Sequence, residues 1–148
     1  FTSRLVKEVR SNRGLSYSVY SYFLPYEQSG PFMLGLQTRS DQVTEAIQVC
    51  NEVLSGFIEN GPTQEELTLS KQNIMNGFPL RIDSNRDILG YLSLMGYYDL
   101  PLTYLNDFNE KIEKVSLDDV KTAFRKHLDL NSFVTVVVGS EQEPQEEK

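Results

Sequence analysis

Between Arg10 and Val19 the period of the chain changes, and that change sets what the chain can fold into. Before Gly14, apolar residues fall at Phe1, Leu5, Val6 and Val9, which is helical spacing, with Arg4, Lys7, Glu8 and Arg10 between them. After it, Leu15 to Leu24 is rich in Tyr, Val and Phe and reads as a strand. Gly14 suits the left-handed stop that ends a helix. The same turn brings two chemically pointed groups toward each other: Arg10, a permanent cation on the last helical turn, and Tyr17, a phenol on the strand. Alternation groups Leu15, Tyr17, Val19 and Phe23 on one strand face.

The rest reads as scaffold. Pro25 to Gly30 is a turn, and Phe32 to Arg39 is an antiparallel partner strand, with Gly35 marking a close approach or a bulge. Ser40 or Asp41 caps a helix whose wide apolar stripe runs from Val43 to Ile58. Gly61-Pro62 ends it, and Thr63 with Glu66 forms a capping box for the next helix. Pro79 breaks that helix. Further helices are predicted over 84–98, 103–114 and from Ser116 through Leu128. Phe133 to Val138 is nearly all β-branched and reads as a strand buried on both faces. The fold class is therefore α+β: a small antiparallel sheet packed with several helices. So thin a sheet, with a last strand short of neighbours, reads as incomplete as a domain, with upstream strands missing. Residues 1–139 form the domain, and 140–148, dominated by Glu and Gln, an acidic disordered tail.

Composition narrows the function. The chain has 148 residues, enough for one domain with one core, and a formal charge of −7. So acidic a surface lacks the cationic footprint that phosphate backbones need, which argues against nucleic-acid binding. No apolar run approaches the ~20 residues of a membrane span. Cys50 is the one cysteine, so no internal disulfide forms. Glycine-rich phosphate loops, a G-x-S-x-G elbow and clustered metal ligands are all missing from the sequence. His127 lies near a helix end, where a cation is favoured by the dipole, and Cys50 lies on an apolar stripe as a buried thiol. The chain opens inside an amphipathic helix without Met, which suggests a piece of a longer protein.

Arg10 and Tyr17 each have a plain structural reading. Cations in a last helical turn gain about 0.3–1 kcal/mol, and alternation makes Tyr17 a core tyrosine. A resemblance favours a functional one. The block from Phe1 to Tyr20, with its Arg13-Gly14-Leu15 centre, resembles the signature of the second homologous half of insulinase/pitrilysin-type zinc metallopeptidases. These are the inverzincins, named for the H-x-x-E-H order of their zinc motif. Gly61 to Leu67, Ser116 to Val120 and the Val134 to Gly139 stretch resemble later segments of the same half, so the likeness runs over about 1–139.

The resemblance implies an α+β half-domain that, with a zinc-binding half, encloses a chamber. It carries over an arginine and a tyrosine seven residues apart, Arg10 and Tyr17, that bind the substrate carbonyl and its oxyanion near the scissile bond. The zinc would sit in the parent enzyme, on a catalytic domain of the same chain or on a partner subunit of the same family, because H-x-x-E-H is missing here. The segment alone is then no protease. The partners implied are a peptide substrate and that zinc-bearing half. Since many bacterial relatives are exported, the resemblance points to the periplasm. Two readings stand beside this one: a non-catalytic scaffold or assembly subunit of the same family, and a peptide-binding module with no chemistry.

Overall fold

The computed structural model describes residues 3–139; Phe1, Thr2 and the stretch expected to form the acidic tail lie outside them. The chain divides into two compact units. One runs to Asn60 and resumes at Phe124, and the other is Gly61–Ala123.

In the first unit, Arg4 and Leu5 open a helix that continues as a π-helix over Val6–Asn12. Leu5 and Val9 are its buried side. The helix ends where the sequence indicates. Gly14 takes φ 62°, and two reversed bonds close the turn, Gly14 N–H to the Arg10 carbonyl at 3.2 Å and Leu15 N–H to the Val9 carbonyl at 2.8 Å.

Strands β1 (Val19–Phe23) and β2 (Phe32–Leu36) pair antiparallel as a two-stranded sheet. Val19 faces Leu36, and Phe23 faces Phe32. One sheet face carries Val19, Leu34 and Leu36 toward the core. The other carries Tyr20 and Tyr22, stacked with ring centroids 5.9 Å apart. A side chain on Gly35 would run into the Tyr20 ring at 2.5 Å, so this glycine makes room for a cross-strand ring, in place of the close backbone approach or bulge expected from the sequence.

Ser40–Gln42 forms a single 3₁₀ turn, with Arg39 rather than Ser40 or Asp41 at its start, and leads into α1 (Val43–Asn60). The α1 stripe packs Ala46, Val49 and Cys50 onto Leu5, Val9, Leu15 and Val19. Each such buried Leu or Val is worth about 1.5–3 kcal/mol, so this cluster fixes the helix-to-strand turn on α1. Burial pushes the Cys50 thiol up from its usual range, as suits an inert packed side chain.

The second unit begins with α2 (Gln64–Gly77). Its capping box is complete: Thr63 Oγ1 accepts from Glu66 N–H at 3.2 Å, and Glu66 accepts from Thr63 N–H at 2.7 Å. Pro79 ends the helix and starts a 3₁₀ turn, Pro79–Arg81. Helices α3 (Asn85–Tyr97) and α4 (Tyr104–Lys114) follow. Leu67, Phe78 and Met95 are buried here, and Phe78 stacks on Phe108 at 4.2 Å. The boundary between the units falls inside α5 (Leu117–His127), which ends with Arg125, Lys126 and His127 in its last turn. Arg125 donates to the Ile58 and Glu59 carbonyls at the end of α1, at 3.1 and 2.8 Å.

One predicted element is not formed. Phe133 to Val138 belongs to no ladder, and Val134, Val136, Val137 and Val138 are 87%, 78%, 59% and 93% exposed. The β-branched run has the side chains of a buried strand, but among the described residues no strand lies beside it to supply hydrogen bonds or cover.

Candidate functional site

Arg10 and Tyr17 are brought together. The Arg10 guanidinium carbon lies 4.6 Å from the centre of the Tyr17 ring. Such a cation–π contact at an exposed site is worth about 0.5–1 kcal/mol. It limits where the guanidinium can go and holds it beside the phenol. Arg10 is half-buried at the end of the π-helix, and π-turns occur often at functional sites.

The expected face of Tyr17 is corrected. Alternation groups it with Leu15 and Val19, which are 3% and 8% exposed, yet Tyr17 is 83% exposed. The strand begins only at Val19, and a bend comes before it. Ser16 makes that bend. It is buried, its Oγ accepts from Ser18 N–H at 3.2 Å, and it has the Ser18 and Gln37 carbonyls in range of its single proton, both at 2.7 Å. A hydroxyl that bonds backbone two residues on replaces ladder geometry with a local turn. Thr38 completes the clamp, its Oγ1 donating to the Leu15 carbonyl at 2.6 Å.

Neither Ser16 nor Thr38 stands out as a site residue in sequence. The available signal is the Ser-Tyr-Ser run, because serine hydroxyls favour such turns. Arg13, on the same turn, pairs loosely with Glu52 of α1 at 3.9 Å, both side chains well exposed.

The zinc that the resemblance implies does not fit this chain's own donors. Among the described residues no three of His, Cys, Asp and Glu come together to hold a metal. Cys50 is packed in the core, and His127 stands at a helix end. The arrangement sets an exposed phenol and a half-buried fixed charge side by side on a packed turn.

Helices and a small antiparallel sheet, with a cation and a phenol paired at the helix-to-strand turn, define an α+β protein. A family model described as "Peptidase M16 inactive domain" matches residues 1–74. The chain belongs to the peptidase M16 family. A solved peptidase M16 inactive domain from Pseudomonas fluorescens is 42% identical, with a TM-score of 0.80, over 87% of this chain and 31% of its own. A non-peptidase homolog from Helicobacter pylori is 29% identical over 96% of this chain and 33% of its length. An uncharacterized zinc protease from Streptomyces coelicolor is 26% identical over 92% of this chain and 30% of its length. The chain thus spans about a third of the length of the curated relatives it matches.

Proposed function

We propose that this chain is the zinc-free half of a zinc metalloendopeptidase, and that Arg10 and Tyr17 bind the substrate peptide at the scissile carbonyl. The observation that carries the reading is the convergence of the two side chains, with Tyr17 turned out of the core against its strand pattern. When a peptide carbonyl is attacked, negative charge grows on its oxygen. The Arg10 guanidinium and the Tyr17 O–H can both donate to that oxygen, and the packed turn holds them in place beforehand. Donors fixed in advance gain most in the transition state, because no reorganisation is needed as the charge appears. Zinc, held by a catalytic domain or subunit of the same family, would supply the activated water.

The test is peptide cleavage by the parent enzyme carrying Arg10→Ala or Tyr17→Phe. Loss of one such donor typically costs ~100- to 1,000-fold in rate. A fall of at least about tenfold is expected in kcat/KM, with unchanged unfolding midpoints. Wild-type rates in both variants would end the proposal.

A second reading is favoured by the Helicobacter pylori relative, whose name makes it a non-peptidase homolog. On that reading the chain is a scaffold or assembly subunit. A parent protein that binds its family partner but cleaves no peptide would select it.

A further inference from the structure

The sheet has a second face that the core does not use. Tyr20, Tyr22 and Met33 lie on it, and all three are exposed. Their side chains are nonetheless held. The Tyr20 and Tyr22 rings are near parallel, 17° apart in plane. The far end of the Tyr20 ring lies across the strand pair over Gly35, in the space a Cβ would fill. The Tyr22 hydroxyl donates to the Met33 sulfur at 3.7 Å. A glycine inside a strand weakens it, so seating the Tyr20 ring costs stability. Rings fixed in this way offer a large contact area and lose little freedom when another group lies on them.

Their place in the chain says what would lie there. Tyr20 and Tyr22 follow Tyr17 by three and five residues on one segment. A strand rises about 3.3 Å per residue, so Tyr20 is within about 10 Å of Tyr17 along the backbone. An extended peptide whose scissile carbonyl rests on Arg10 and Tyr17 has a side chain two or three residues away at about the same reach. The chemistry of the face narrows that side chain. Neither strand contains a charged residue. A lysine or arginine would find no carboxylate on either strand, and Arg10 stands ahead of β1 as a fixed positive charge. A carboxylate would meet the electron-rich ring faces. An aromatic side chain meets neither objection, and it gains from ring–ring contact beyond the area it buries.

We propose that Tyr20 and Tyr22 form a specificity surface for an aromatic side chain of the substrate peptide, two or three residues from the scissile bond. The inference rests on the reading of Arg10 and Tyr17 as the carbonyl-binding pair, and extends it to the choice of substrate.

The test uses the parent enzyme and internally quenched peptides that carry Phe, Ala or Lys at each position near the cleaved bond in turn. At one position two or three residues from that bond, Phe is expected to exceed both Ala and Lys by at least about tenfold in kcat/KM. Tyr20→Ala and Tyr22→Ala are expected to bring that ratio to within about twofold, while Tyr20→Phe keeps it. Equal use of Phe and Ala by the wild type overturns the proposal. A preference for Lys makes the surface a cation site and also overturns it. Arg10→Ala, run on the same peptides, separates two failures. If it loses rate while both tyrosine-to-alanine variants keep the Phe preference, the specificity surface alone falls. If it cleaves at the wild-type rate, the carbonyl-binding reading falls and takes the surface with it.

Discussion

Ser16 decides where Tyr17 points. Its hydroxyl is buried and bonded to the backbone of Ser18, just past the bend, and of Gln37, just past β2. Ser16→Ala would leave those buried backbone groups without their partner, at a cost of about 1–3 kcal/mol. The urea midpoint is expected to fall accordingly. In the parent enzyme kcat/KM is expected to fall too, because Tyr17 would no longer be held outside the strand. An unchanged midpoint would show that water replaces the hydroxyl. Gly14 fails differently. Nothing lies within 4 Å of where its Cβ would be, so Gly14→Ala meets no clash and its cost is conformational. At φ 62° that is about 1–2 kcal/mol. If a denaturation series gives Gly14→Ala no penalty, the turn is not held left-handed.

At the level of elements, the signals that were legible are the local ones. Thr63 and Glu66 stand three residues apart and are bonded as the capping box that the sequence indicates. Pro79 breaks a helix by its own ring and missing N–H. Such features need no distant partner. Val134 to Val138 shows the opposite case: its residues suit a sheet, but a strand exists only through a neighbour, and residue preference does not supply one. Tyr17 is misread for a related reason, since alternation assumes a strand that Ser16 interrupts. Arg10 and Tyr17 become legible as a candidate site only through the family resemblance, because composition and spacing alone explain each as structural.

The α5 cap is also open to a pH test. Asp119 accepts from the Ser116 hydroxyl at 2.7 Å and from Ser116 N–H at 2.8 Å, and these bonds hold its carboxyl below the usual range. A depressed folded-state pKa adds stability above the ordinary carboxylate value, and that stability is lost as pH falls through the folded value. The stability gap between wild type and Asp119→Asn is therefore expected to be full near neutral pH and to close in acid. A gap that stays constant down to about pH 2 would show that the charge on Asp119 contributes nothing to the cap.

For the whole molecule, the question is whether the two units share one unfolding transition. Each has its own buried cluster: Val9 with Ala46, Val49 and Cys50 in one, and Phe78 stacked on Phe108 in the other. Phe78 is 5% exposed, so Phe78→Ala removes a full ring from packed surroundings, a loss of about 3–5 kcal/mol. Val9→Ala removes less, about 2 kcal/mol. With separate transitions, Phe78→Ala speeds exchange at the core amides of α2 and α4 by two to three orders of magnitude, since ~1.4 kcal/mol is tenfold. Val49 and Leu54 in α1 then keep wild-type protection, and Val9→Ala gives the converse pattern. Equal acceleration of both sets by either variant would mean that the units open as one cooperative body. That outcome would also tie the Arg10 turn energetically to helices that contribute no residue to it.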